Sequence, residues 1–428
     1  MMTNLQAPEL SIEMFGGVLD ADSSASYPGL ELINFLLGCS GGVLPEQADI
    51  KITRYAHDFA RRLVRDETLS KEDKANVLAD KHSEEAIRKL LKCLELELEN
   101  ITKSPTWMRT HFFPYTKSLT HWDARIRLGT DKVRIERQYL RGAGAYVFNV
   151  LRFDHDKQRL SAIREKLDDL FTKNADSPLE SLAKTLRAHG AKDIEPVKDE
   201  KESESRQMRE DGLEDLYRIG VQNILSHDSL PSVSKIKAIV NWTGIWLVVM
   251  GNKRSKLLAE SNKPFFVMDC AGLNSQLRRA SQRSLKGFIK RISDGIDIAR
   301  GDRVISAAQA QKIKGFFTAT AAGMRLINSL KGRRHFTFGL DCIETLALVA
   351  VNSNSELPFE NFVHDWLFKE CGFVIGRISA QEAGLLDDLD ATIFEENEKM
   401  LSEQVKAVGM LRVYSDATKM VGLGKKND

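Results

Sequence analysis

The sequence predicts a mainly α-helical, multidomain protein with a few short strands and a winged-helix-like C-terminal domain. Three observations predict it. Apolar residues recur at three- and four-residue spacing along much of the chain. The runs that read as strands are short and stand beside Gly or Pro. The length of 428 residues, 42% hydrophobic and 29% charged, fits two to four domains of roughly 100–200 residues. The composition excludes a disordered tail and a membrane protein. No stretch approaches the ~18 uninterrupted apolar residues of a membrane span, and residues 1–12 have neither a basic start nor an apolar run. Five cysteines, with no C-x-x-C among them, predict reduced thiols packed as small apolar residues, a cytoplasmic location and no cysteine zinc site.

The elements follow in order. Residues 1–50 carry apolar patches broken at Gly16-Gly17, Pro28-Gly29, Gly41-Gly42 and Pro45. From Ile52 the pattern turns helical through Tyr55, Phe59, Leu63 and Val64, and Ser70 with Asp73 reads as an N-cap and its acidic partner. A helix is predicted over 83–101 on the stripe Ile87, Leu90, Leu91, Leu94 and Leu98. Residues 107–122 should be irregular, and 132–153 helical with interruptions at Gly142 and Gly144. This completes a helical N-terminal domain, 1–190. Residues 191–212 read as a charged linker or loop, since 191–215 hold fifteen charged residues in 25 and offer no apolar periodicity.

A basic helical central domain, 213–337, is expected next. Its helices span 213–226, 232–250, 275–298 and 306–330, with a buried strand at Phe265 to Met268. Trp242, Ile245, Trp246 and Val249 follow helical spacing, which predicts core packing. The last domain, 338–428, reads as an apolar helix at 340–351, a second entered at Pro358, and a short strand at 372–376. A third helix over 389–408 ends at Gly409, and a hairpin runs through 410–414 and 419–423. That order is the order of a winged helix.

The net charge of +2 hides an asymmetry. From Gly251 to Thr337 there are 18 Lys plus Arg against five acids, a net of +13. From Lys103 to Phe153 there are ten against three, +7, so the rest carries −18. Such a concentration predicts a surface for an anionic partner. The candidate nucleic-acid-binding residues are Arg278, Arg279, Arg283, Lys286, Lys290 and Arg291 on one helix, with Arg333 and Arg334 beside Lys331 as a second knot. Phosphate contacts of this kind give affinity and salt dependence without reading sequence. The third C-terminal helix is the reverse. Between Leu385 and Val408 seven acids face only Lys399 and Lys406, a net of −5, which predicts protein docking or a structural cap rather than DNA contact.

Motifs for catalysis are missing. The sequence has no P-loop, no G-x-S-x-G and no H-E-x-x-H, and Gly142-Ala143-Gly144 lacks the third glycine of a dinucleotide fingerprint. His-Asp pairs occur at His57-Asp58, His155-Asp156, His227-Asp228 and His364-Asp365, each without the further ligands of a metal site. Asp269-Cys270 follows an apolar run, where nucleases keep a metal-binding acid, but no second acid or Glu-x-Lys accompanies it. Asp123 beside His121 and Trp122 is equally isolated. No catalytic residue, metal or cofactor is assigned.

The run Pro264 to Cys270, then Leu277-Arg278-Arg279-Ala280-Ser281-Gln282-Arg283-Ser284, is followed by Phe359 to Gly376, Glu395-Glu396-Asn397, Val408-Gly409-Met410-Leu411 and Ser415-Asp416-Ala417. Over roughly 213–428 this resembles accessory proteins of bacterial anti-phage islands. These belong to restriction modules linked to DNA phosphorothioation or methylation and encoded beside HerA/FtsK-type ATPases. The resemblance implies a non-catalytic subunit partnering an ATP-driven DNA translocase, and it supplies no catalytic residues. The function expected is therefore a nucleic-acid-associated scaffold of a multiprotein defence complex, binding DNA or RNA through the basic central region and no membrane. The competing readings are a metal-dependent nuclease and an RNA-binding subunit of an RNA-guided complex.

Overall fold

A computed structural model describes residues 4–21, 27–39, 42–46, 72, 83–95, 114, 124–126, 133–135, 142–175, 181, 211–259, 264–329, 332–415 and 417–423. They are mainly helical, with short strands, as the sequence predicts. The chain divides into two compact units, Met1–Gly29 with Gln207–Asp428 and, interposed, Leu30–Arg206. The expected helix from Ile52, the cap at Ser70, the aromatic stretch 107–122 and most of the charged segment 191–212 lie outside the described residues.

The first unit opens with β1 (Asn4–Leu5) and α1 (Ala7–Phe15). Gln6 and Glu9 form a reciprocal capping box on α1, Pro8 occupies its first turn, and Gly16 ends it in the left-handed region at φ 85°.

The interposed unit contains α2 (Pro28–Gly38), α3 (Ser83–Cys93), a hairpin of β2 (Ala124–Ile126) and β3 (Val133–Ile135), α4 (Ala143–Arg152) and α5 (Lys157–Ala175). The helix expected over 132–153 is corrected here. Its first part is strand β3, where β-branched Val133 and Ile135 pair with Ile126 and Ala124. Gly142, at φ 132°, precedes the helix rather than breaking it. Gly144 lies inside α4 because its N–H donates to Glu31 Oε2 at 2.7 Å and the Glu31 stem occupies the space a Cβ would need. Around this contact Phe35 packs against Phe148 with the rings tilted 32° and 5.4 Å between ring centres.

The first unit resumes with α6 (Leu213–Ser226), α7 (Ser232–Ala259), β4 (Phe266–Val267), α8 (Ser275–Arg300), β5 (Val304–Ile305) and α9 (Ala307–Gly323). α7 is the axis of this unit, packed by α6, α8, α9 and α1. By length and composition Ser232–Ser255 would suffice to cross a membrane, and 67% of that stretch is buried inside the fold. Trp242 and Trp246 are core residues, their indole N–H groups donating to Tyr217 O (3.1 Å) and Leu213 O (2.8 Å). α9 ends seven residues short of the expected 330, because Arg325 takes a positive φ of 53° and the chain turns back so that Ile327 bridges Phe336.

The close crossing of α7 and α9 depends on Gly251, whose ideal Cβ would stand 2.1 Å from Cε1 of Phe317. Phe317 is held in turn by Phe15, Phe288 and Phe316. Gly251→Ala is therefore an overpacking change. It should lower unfolding free energy by about 1–3 kcal/mol, read as a fall in the urea midpoint; an unshifted midpoint would show that the aromatic cluster yields freely.

The remaining elements are α10 (Leu340–Ala350), β6 (Leu357–Pro358), α11 (Phe359–Asn361) running into a nine-residue π-helix (Phe362–Glu370), β7 (Phe373–Val374), α12 (Arg377–Glu382), α13 (Ala391–Ala407), β8 (Leu411–Val413) and β9 (Lys419–Val421). The helices, strand and hairpin expected after residue 338 are present, the second helix mostly as a π-helix with Pro358 in strand β6 before it, and the short helix α12 is an element the sequence reading did not include. The wide turn of the π-helix shows in the Cys371 N–H donating five residues back to Trp366 O (3.1 Å). Two pairings join distant segments. β6 adds to the hairpin in the antiparallel order β6-β9-β8, and β4 pairs in parallel with β7. Val267, Leu277, Ala280, Phe368, Val374, Ile393 and Phe394 form one apolar cluster across residue 337.

Candidate nucleic-acid interface

α8 is amphipathic by construction. Leu277, Ala280, Leu285, Phe288, Ile292 and Ile296 are buried on one side. Arg279, Arg283, Lys286 and Lys290 are exposed on the other, at i, i+4, i+7 and i+11. At 1.5 Å per residue this is a cationic ribbon about 16 Å long. Asn274 starts the helix, its side chain accepting the N–H groups of Gln276 (2.8 Å) and Leu277 (3.1 Å).

The second basic knot lies against the same helix. Ser281 Oγ donates to Phe336 O (3.1 Å) and accepts from Phe336 N (2.8 Å), fixing the turn that carries Arg333 and Arg334. That turn is closed by Asn328, whose side chain accepts the His335 N–H at 2.9 Å. Arg333 is exposed and Arg334 partly so. Among the described residues, Arg279, Arg283, Lys286, Arg333 and Arg334 have no acidic partner, while Lys290 reaches Asp294 (2.7 Å) one turn on.

Two of the expected residues have other duties. Arg291 is 7% exposed and turned into the unit, where Nη2 donates to Asn252 Oδ1 at 2.7 Å; burial lowers its pKa to about 10. It takes no part in the exposed ribbon. Arg278 is bound at the helix start: Nε donates to Asp269 Oδ2 (3.2 Å) and Nη2 to the Gly272 carbonyl. Elsewhere in the basic window Arg254 lies buried against Asp211 and Glu214, Arg303 is paired to Glu13 and Arg300 to Asp297. Among the described residues, part of the positive count is therefore taken up by internal pairing. Most of the second positive window, 103–153, lies outside the described residues, and Arg152 within it is buried, donating to Pro45 O at 2.9 Å.

The other chemistry considered for this chain is placed as follows. The Asp269 side chain is fully buried and accepts from Gly272 N (2.8 Å) and Arg278, with His335 Nε2 at 3.8 Å. It anchors a turn. Cys270, Cys342 and Cys371 are buried, and desolvation raises all three thiols, Cys371 to about 12. His227 is buried with Nε2 against Val351 O (3.0 Å), and burial lowers its pKa. His364, on the π-helix, sits between Glu382 (2.7 Å) and Asp365 (3.1 Å). His57, His121, Trp122 and Asp123 lie outside the described residues.

α13 presents Glu395, Glu396 and Glu403 to solvent and buries Ile393, Phe394, Asn397, Leu401 and Val405. Arg377 pairs with Glu395 (3.1 Å). Glu398 is half-buried against Gly376, and desolvation, with Glu360 nearby, raises its pKa. Sequence reasoning gave Asn397 no structural part. It is fully buried and bonds both β4 and β7 flanks, and its signal is a lone amide in the apolar register of an amphipathic helix. No protein-family model, curated protein or solved structure matches this chain.

Proposed function

We propose that this chain is a non-catalytic, nucleic-acid-associated scaffold subunit of a multiprotein bacterial defence complex. The observation that carries the reading is the exposed ribbon Arg279, Arg283, Lys286 and Lys290 with Arg333 and Arg334 beside it, all but Lys290 without an acidic partner among the described residues. Cations with no acid in reach stay hydrated until a polyanion displaces their counterions. The ribbon lies on the phosphate backbone and positions the subunit without reading bases.

The C-terminal region is a winged helix turned to another use. Helix α10, strand β6, a second helical segment, strand β7, the short helix α12, the long helix α13 and the β8–β9 hairpin follow in that order, with β6 on the hairpin. The long helix before the hairpin is where such a domain reads DNA, and here that helix, α13, exposes Glu395, Glu396 and Glu403. An anionic helix repels phosphate, so α13 docks a protein. The resemblance over 264–284 and 359–417 makes that partner an ATP-driven DNA translocase in the cytoplasm.

The test is binding of the full chain to a fluorescent duplex, titrated with salt. Six phosphate contacts give a slope of log K against log salt near −5. Arg279→Glu, Arg283→Glu and Lys286→Glu together should weaken binding at least 100-fold and flatten the slope. Binding unchanged at low salt would remove the reading.

A further inference from the structure

We infer that the partner of the α8 ribbon is double-stranded B-form DNA, and that Leu273 enters a groove of that duplex as an apolar wedge. This rests on the ribbon being a nucleic-acid surface. Leu273 is 84% exposed, the most exposed large apolar side chain among the described residues. A single exposed leucine is unremarkable. What distinguishes this one is its mounting. Gly272 takes φ 67°, its N–H is held by Asp269 Oδ1 (2.8 Å) and its carbonyl by Arg278. On the other side Asn274 caps α8. The backbone of Leu273 is fixed from both flanks while its side chain stands in water. A residue presented in this way loses little freedom on insertion.

The surroundings select the ligand. Leu273 directly precedes the helix that carries the ribbon of cations, and Asp269, four residues before it, is buried and bonded to Arg278. A polyanion is drawn to this end of the helix, where an apolar wedge can part a base step. Single strands are held instead by stacking on exposed rings. Among the described residues the exposed aromatics are Phe153 and Tyr414, neither on α8, and Phe288 is buried. A-form RNA offers a shallow minor groove and a major groove too narrow for side chains, so a wedge has no purchase there.

The experiment uses the full chain and a 30-base-pair DNA carrying a dye at each end, about 30 pairs being several helical turns. Anisotropy reports binding and energy transfer reports bending. Wild type and Leu273→Met should bring the ends closer. Leu273→Ala should bind about 5- to 10-fold more weakly and leave the end-to-end distance unchanged. The corresponding single strand and RNA duplex should bind at least about 10-fold more weakly than DNA. Leu273→Ala that bends DNA like wild type, or single strands bound as tightly as duplex, would overturn the inference. In either case loss of binding on Arg279→Glu, Arg283→Glu, Lys286→Glu would leave the phosphate ribbon standing. Binding that survives this triple reversal removes the ribbon itself.

Discussion

Arg254→Met should lower the unfolding free energy by about 3–5 kcal/mol, the cost of breaking a buried ion pair from one side. Arg254 is 1% exposed on α7 and donates to Glu214 Oε1 (2.6 Å), to both oxygens of Asp211 (3.0 Å each) and to the Phe15 carbonyl. It thus ties the end of α1 and the start of α6 to the central helix. Methionine fills similar space and leaves the fully buried Glu214 carboxylate without its cation. Desolvation already raises the Glu214 pKa in the native protein, and losing Arg254 raises it further. A group whose folded pKa lies above its unfolded value stabilises the fold below the unfolded pKa and loses that stability as pH rises through the folded one. The deficit of Arg254→Met should therefore widen from pH 5 to pH 8. Adding Glu214→Gln should recover part of it at pH 8. Urea unfolding followed by the buried Trp242 and Trp246 reads all of this, and a pH-independent deficit would show that Glu214 stays hydrated.

Local pattern made much of this fold legible. α8 and α13 carry their period, their caps at Asn274 and Asp390, and Gly409 at φ 76° after α13. The hairpin was legible from two apolar runs around a polar turn. What failed was anything decided at a distance. The pairing of β4 with β7 joins segments more than 100 residues apart, and β6 becomes a strand only because β9 lies beside it. The π-helix has the same apolar spacing as an α-helix at its start, so the wider turn leaves no mark in sequence. The basic surface was legible as charge and only partly as geometry. Arg291 follows Lys290 by one residue, about 100° around the helix, and this takes it from the solvent side to the flank of the core, where Asn252 receives it. Arg278 was legible as a cation but not as the brace of the turn before its own helix.

Asn397→Leu should cost about 4 kcal/mol or more, since it strands several buried polar groups at about 1–3 kcal/mol each. The Asn397 amide uses its full hydrogen-bonding capacity. Nδ2 donates to Met268 O and Ile375 O, both at 3.0 Å, and Oδ1 accepts from Cys270 N (2.8 Å) and Ala271 N (3.4 Å). β4 and β7 are two residues each, too short to hold one another in register unaided, and this side chain continues their bonding past the C-terminal end of each. Leucine has the volume and none of the bonds. Asn397→Asp keeps the acceptors but sets an anion against two carbonyls, so its folded pKa rises and its stability should improve on acidification. A Leu variant within about 1 kcal/mol of wild type would mean that the apolar cluster alone fixes the strands. The consequence reaches the proposed interface, because Cys270 and Ala271 lead directly into the turn that presents Leu273. Release of those two N–H groups loosens the mounting of the wedge while the ribbon on α8 keeps its charges. Asn397→Leu at a temperature where it remains folded should therefore bind duplex DNA with the salt slope of wild type and bend it less, which separates the positioning of the turn from the electrostatics of the helix.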